Sequence, residues 1–174
     1  MLREEDSIKQ SPLSLFAENE AKIARLYELY AAKFPEHKKM WLLLANEEKR
    51  HAEILRHLEQ DLVETDKFAA LREHGWQILF YVRDFIDSRI AEAQAEAISV
   101  RQALNTSLSL EQSMIEKKSF AVFLPLSEEI SKAMEKLNRE TDGHARRLEK
   151  ALFSLTPRSG KPRPLGRGKR YPGA

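Results

Sequence analysis

In the stretch Leu44-Ala45-Asn46-Glu47-Glu48-Lys49-Arg50-His51-Ala52-Glu53-Ile54-Leu55, a carboxylate and an imidazole stand where a helix should present only hydrocarbon. The apolar positions around it are Met40, Leu44, Leu55, Leu58 and Leu62, spaced alternately by four and three residues, and the missing members of that series are Glu48 and His51. A seam of this kind faces partner helices, so a charged group in it is desolvated and costs several kcal/mol unless something pairs with it. The rest of the chain must supply that partner.

Three further seams are interrupted in the same way. Phe16, Glu20, Ile23, Tyr27, Tyr30 and Phe34 form one, with Glu20 as its lone acid. Leu104, Leu108, Glu111, Ile115, Lys118 and Val122 form another, where the acid is Glu111. In the last, Ile130, Met134, Leu137, Thr141, His144, Leu148, Ala151 and Leu155, the polar pair is Thr141 and His144. Antiparallel helices joined by a tight turn place residues at equal height when they lie equally far from the turn. The midpoint between Glu20 and the Glu48/His51 pair falls at Pro35, and that between Glu111 and the Thr141/His144 pair falls between Leu126 and Ser127. Each hairpin therefore carries its polar groups in one layer.

Two such hairpins packed as a four-helix bundle would gather Glu20, Glu48, His51, Glu111 and His144 into one pocket. Three carboxylates at close range in low dielectric repel and titrate upward unless a cation sits among them, while two neutral imidazoles offer nitrogen lone pairs. A divalent metal answers both conditions. Oxygen-rich ligation with two imidazoles suits iron or manganese, with zinc as an adventitious occupant. Taken alone, Glu48 and His51 would be explained as a hydrogen-bonded buried pair. Five groups at one level point instead to a metal.

The elements needed to hold these residues are helices. Only Gly75 and Gly143 fall in the first 156 residues, where Ala, Leu, Glu, Lys, Arg and Gln dominate, so the body reads as all-α. Ser11-Pro12 or Ser14 opens the first helix and Pro35 closes it; the second is expected over 36–63. Asp66 caps a short helix that stops at Gly75, and a crossover helix follows over 76–97. Ser99 caps the third long helix, which Pro125 ends, and Ser127-Glu128-Glu129 begins the last. His37, His57 and His74 fall outside the seams and are expected at the surface, Trp41 in the packing.

Composition narrows the class. Of 174 residues, 42% are hydrophobic and 32% charged, which is globular, and no apolar run is long enough to span a bilayer. With no cysteine there is neither a disulfide framework nor a thiolate metal site, and the first residues lack the order of a signal peptide, so a cytoplasmic location is expected. The net charge of +2 conceals a division into a bundle over 1–156 and a basic tail over 157–174, which holds Arg158, Lys161, Arg163, Arg167, Lys169 and Arg170 and no acid. Rich in proline and glycine, the tail is expected to be flexible, either solubilising or contacting an anionic partner.

The order of these motifs resembles the rubrerythrin-type branch of the ferritin-like superfamily, in which a Glu, a Glu-x-x-His, a Glu and a second Glu-x-x-His lie on successive bundle helices. The matching stretches are Phe16-Ala17-Glu18-Asn19-Glu20 with Tyr27, Glu47-Glu48-Lys49-Arg50-His51-Ala52, Ala103-Leu104 with Glu111, and Leu137-Asn138-Arg139-Glu140-Thr141-Asp142-Gly143-His144-Ala145. The resemblance implies a ferritin-like four-helix bundle with a long helical crossover, a diiron-carboxylate centre, a homodimer, and oxidoreductase activity toward peroxide or dioxygen. It also implies a hydrogen bond from Tyr27 to a ligand carboxylate, although core packing explains that residue equally well. A rubredoxin iron centre cannot exist without cysteine, so an electron donor would be a separate protein.

The fourth helix departs from the pattern, with Thr141 where the family has Glu. Three carboxylates leave one positive charge over two divalent ions, or one negative charge over a single ion. One ion, or two balanced by a further anion, follows. Glu140 becomes a substitute ligand if the helix rotates or bulges near Gly143, a residue that otherwise reads as neutral drift. Glu47 and Glu53 are expected to be solvated or to support ligands from outside. A non-catalytic bundle with a degenerate site, serving metal storage, sensing or structure, is the alternative function.

Overall fold

The computed structural model describes residues 11–62, 76–95, 97–116 and 128–155. They form five α-helices, which we number α1 (Pro12–Lys33), α2 (Lys38–Leu62), α3 (Trp76–Ala95), α4 (Val100–Glu116) and α5 (Glu128–Ser154), with a 3-10 turn at Pro35–His37. No strand occurs among the described residues, and none of these helices is long and apolar enough to cross a membrane. The expected short helix before Gly75, the Ser127 cap, the end of the third long helix at Pro125, His74 and the tail all lie outside the described residues.

Local chemistry fixes the helix ends. Ser11 caps α1 by accepting a hydrogen bond from the Ser14 amide at 2.9 Å, and Pro12 occupies a first-turn position where its missing N–H costs nothing. Ser99 and Gln102 form a reciprocal capping box at the start of α4, with bonds of 2.8 and 3.2 Å between each backbone amide and the other's side chain. The second helix begins two residues later than expected, because Pro35 to His37 take a 3-10 turn that reverses the chain.

Cross-contacts give the pairing. Ser11 meets Glu59, Glu28 meets Lys49 and Tyr30 stacks on Trp41, so α1 and α2 are antiparallel around Pro35. Arg101 meets Leu155 and Gln112 meets Glu149, which makes α4 and α5 antiparallel as well. α3 lies along α1 in the same direction, joined by Asn19 to the Leu79 carbonyl and Lys22 to Asp87. α1 is thus covered on several sides, and residues from Leu13 to Ala31 are buried nearly all round it.

Two seams differ in detail from the expected ones. On α2 Trp41 is fully buried while Met40 is half-buried, since the indole packs between Tyr27 and Tyr30 at 5.6 and 5.0 Å. On α4 Ser107 and Leu110 are buried while Leu108 is half-buried, because that helix turns toward α1 as well as α5. α5 keeps its series as far as Leu148, Ile130, Met134, Leu137, Thr141, His144 and Leu148 all being buried, while Ala151 and Leu155 are half-buried.

α5 runs through Gly143 without a bulge or break, contrary to the irregularity that glycine suggested. A Cβ built there meets nothing within 4 Å. Replacing Gly143 by Ala should therefore stabilise the fold by ~1 kcal/mol, the helix-interior difference between the two residues. Urea unfolding of the two proteins, compared at equal slope, measures it.

Candidate metal centre

Glu20 on α1, Glu48 and His51 on α2, Glu111 on α4 and His144 on α5 all face inward and none is more than 1% exposed. They form two groups whose ligand-capable atoms lie within 4.8 Å of one another: Glu20, Glu48 and His51 in one, Glu48, Glu111 and His144 in the other. Glu48 belongs to both. Its Oε2 lies 2.9 Å from His51 Nδ1 and its Oε1 lies 2.6 Å from His144 Nδ1, so the carboxylate spans the gap between the rings. Glu20 Oε2 is 3.9 Å from His51 Nδ1 and Glu111 Oε2 is 3.6 Å from His144 Nδ1. The two imidazoles stack 5.4 Å apart, 12° from parallel.

Helix periodicity explains the convergence. Glu48 and His51, three residues apart, share a face of α2, and His144 repeats that placement on α5. One turn above or below on the same faces stand Phe16, Ile23, Leu44, Leu55 and Leu148, with Leu104 and Leu137 two turns before Glu111 and His144, each at most 1% exposed, so hydrocarbon flanks the layer along these faces.

The outer edge of each ring is held by a residue from the opposite helix. His51 Nε2 lies 2.8 Å from Glu140 Oε2, and His144 Nε2 lies 3.1 Å from Glu47 Oε2. Each of those carboxylates is in turn paired with an arginine, Arg50 with Glu140 at 2.8 Å and Arg147 with Glu47 at 2.6 Å. Glu140, offered by the sequence as a substitute ligand, is in neither inward group and faces outward at 28% exposure. The reason is geometric: with α5 regular through Gly143, Glu140 projects along the flank toward α2. Both acids directly precede a seam position and lie four residues before a histidine, a repeated spacing in which the crossed pairing is legible once the helices are known to be neighbours.

Tyr27 donates a hydrogen bond to Glu111 Oε1, leaving Oε2 toward His144. Thr141 is buried one turn before His144. His57 is exposed and His37 half-buried, away from the layer, and Glu53 is exposed. The sequence reading did not single out Arg50, Arg147 or the buried Asn19 and Ser107.

The donor set fits a cation. Glu20 Oε1, Glu48 Oε1 and His144 Nδ1 are buried and make no hydrogen bond, and the last two approach closely without hydrogen-bond alignment, as lone-pair atoms aimed at a common point would. Protons take up part of the repulsion in the metal-free protein. Burial opposes a charge on His51 and His144, yet Glu20, Glu48 and Glu111 overcome it and lift the two imidazoles to about 11 and about 10. Burial and the charge of Glu48 raise Glu20 and Glu111, whereas Glu48, against its own burial, is lowered by the flanking His144 and His51. Burial and Glu111 keep the Tyr27 phenol protonated.

No family model matches this chain, and neither does any curated protein or solved structure. Fold and site are therefore defined by this chain's own geometry: an all-helical protein with a buried carboxylate and histidine cluster that could hold a metal ion.

A stability prediction follows from the raised imidazoles. Between their ordinary value of 6.5 and about 10 to 11 the folded state binds more protons than the unfolded chain, so their contribution is full below 6.5 and disappears as pH rises through that window. Raised Glu20 and Glu111 act in the same sense; lowered Glu48 acts oppositely, losing its contribution in acid. Urea midpoints of the chelator-treated protein should fall from pH 7 to pH 10, and fall less steeply in a His51→Gln, His144→Gln double variant.

Proposed function

We propose that this chain is a ferritin-like four-helix bundle, α3 serving as its crossover, that holds two adjacent iron ions and reacts with peroxide or dioxygen. The observation that carries the reading is the double membership of Glu48. One ion would take Glu20, His51 and one oxygen of Glu48; the other would take Glu111, His144 and the second oxygen. Carboxylate oxygen and imidazole nitrogen suit iron or manganese better than zinc. When bound, ferrous iron supplies the electrons that reduce the oxidant.

The chain's own groups prepare the site. Glu140 meets the outer nitrogen of His51 in a hydrogen bond, and Glu47 lies 3.1 Å from that of His144 without hydrogen-bond alignment; a proton on each outer nitrogen would leave each Nδ1 lone pair directed inward. The Tyr27 hydroxyl holds one oxygen of Glu111 and thereby orients the other. The hydrocarbon on the adjoining turns excludes bulk water and strengthens every electrostatic contact within. Protons carried by His51 and His144 must leave before their Nδ1 atoms can ligate, so binding should tighten as pH rises. A separate electron donor and a homodimeric assembly belong to the same reading.

The burial of every candidate ligand favours a second reading, in which the bundle retains its metal for storage, sensing or structure and performs no turnover. Equilibrium dialysis against ferrous iron without oxygen should give two ions per chain. Glu48→Gln should lose both, while Glu111→Ala or Glu20→Ala should lose one. Adding hydrogen peroxide then separates the readings: repeated reoxidation with a chemical reductant supports the oxidoreductase, whereas iron that stays bound and reacts no faster than free ferrous iron supports retention. A protein that folds unchanged and binds no metal overturns both.

A further inference from the structure

α2 and α5 bring the same order of residues to the cluster. Glu47, Glu48 and His51 follow one another on α2, and Glu140, Thr141 and His144 stand at the same spacing on α5. The outer contacts are exchanged between them: Glu140 lies 2.8 Å from His51 Nε2, Glu47 lies 3.1 Å from His144 Nε2, and the two rings stack 12° from parallel. Arg50 meets Glu140 and Arg147 meets Glu47, so the two helices run antiparallel here and their corresponding positions are interchangeable. Thr141 is therefore the counterpart of Glu48. Both are buried, at 2% and 1% exposure. Glu48 reaches both rings with its two oxygens, whereas Thr141 has a shorter side chain that offers one hydroxyl and no charge.

The difference leaves a charge unbalanced. Two divalent ions bring four positive charges, and Glu20, Glu48 and Glu111 return three when His51 and His144 ligate as neutral rings. One positive charge then stands in a layer flanked by hydrocarbon, where a charge without a partner is strongly disfavoured. The surrounding groups do not supply the missing anion. Glu47 and Glu140 belong to neither inward group and face Arg147 and Arg50 at 2.6 and 2.8 Å. The Tyr27 hydroxyl is engaged as a donor to Glu111. Among the described residues no other carboxylate is buried. Each group also offers only three donor residues, which leaves coordination positions open on iron or cobalt.

We propose that the place opposite Glu48, beside Thr141, takes a small monoanion from solution, which completes the charge of the two-metal centre and accepts a hydrogen bond from the Thr141 hydroxyl. A bond of this kind to a charged acceptor is among the stronger ones a hydroxyl makes. Burial of the layer restricts the anion to a few atoms. Formate is of this class, and so is the monoanion of hydrogen peroxide, which makes the oxidant of the proposed reaction a natural occupant.

The inference rests on the two-ion reading, and its test separates the two. The metal-free full chain is titrated with cobalt(II) perchlorate and followed by visible absorption, in sodium formate or in sodium perchlorate of equal ionic strength. Formate should tighten the second cobalt ion about tenfold or more and shift its absorption bands, leaving the first ion nearly unchanged. Sodium benzoate, equal in charge and too large for a buried place, should do neither. Thr141→Glu supplies a fourth carboxylate, so it should bind the second ion without formate as tightly as the parent does with it. Thr141→Val, close in shape and lacking the hydroxyl, should keep both ions and respond less to formate; it carries the test alone if circular dichroism shows that Thr141→Glu does not fold without metal. A second ion indifferent to formate, an equal response to benzoate, or a response undiminished in Thr141→Val overturns the anion site while leaving the metal site intact. A single ion bound whatever the anion overturns the two-ion reading and the inference with it, and a parent chain that binds no cobalt overturns metal binding altogether.

Discussion

Three buried carboxylates, with Glu48 lying within a few ångströms of each of the other two, are the constraint to which the rest of this fold answers. Glu20, Glu48 and Glu111 come from three helices and are shut away from water by leucine, isoleucine and phenylalanine on the adjoining turns. Bare, such a cluster would drive its helices apart. Two imidazoles drawn in on the same level make it tolerable, carrying protons in the metal-free state and lone pairs when those protons depart. The crossed Glu47 and Glu140 contacts, the arginines behind them and the Tyr27 hydroxyl secure the geometry that this exchange requires.

Much of this was legible in the chain because helical periodicity and turn position are both local quantities. Glu20, Glu48, His51, Glu111 and His144 interrupt otherwise apolar seams, and their distances from Pro35 and from the start of α5 set their heights without any knowledge of packing. The long helices and their caps at Ser11 and Ser99 were likewise readable, each following from a short stretch of residues.

What escaped depends on rotation about helix axes and on which helices are neighbours. Met40 and Trp41 differ by one position in the seam, and only the ring contacts with Tyr27 and Tyr30 decide which turns inward. Ser107 replaces Leu108 for a similar reason, α4 having to face two partners at once. Glu140 lay close enough to His144 in sequence to suggest ligation, but a regular α5 sends it across to His51. Arg50 and Arg147 carry no signal of their own in the sequence, since nothing short of the α2 to α5 juxtaposition gives them Glu140 and Glu47 as partners.

The shared carboxylate also divides the centre unequally between the two halves of the chain. Glu20, Glu48 and His51 all belong to the first hairpin and lie within 32 consecutive residues. Glu111 and His144 come from the second, which must borrow Glu48 to complete its own group. An N-terminal half emerging from the ribosome thus contains all three residues of one candidate group before the remainder has been synthesised, whereas the C-terminal half never contains a complete one.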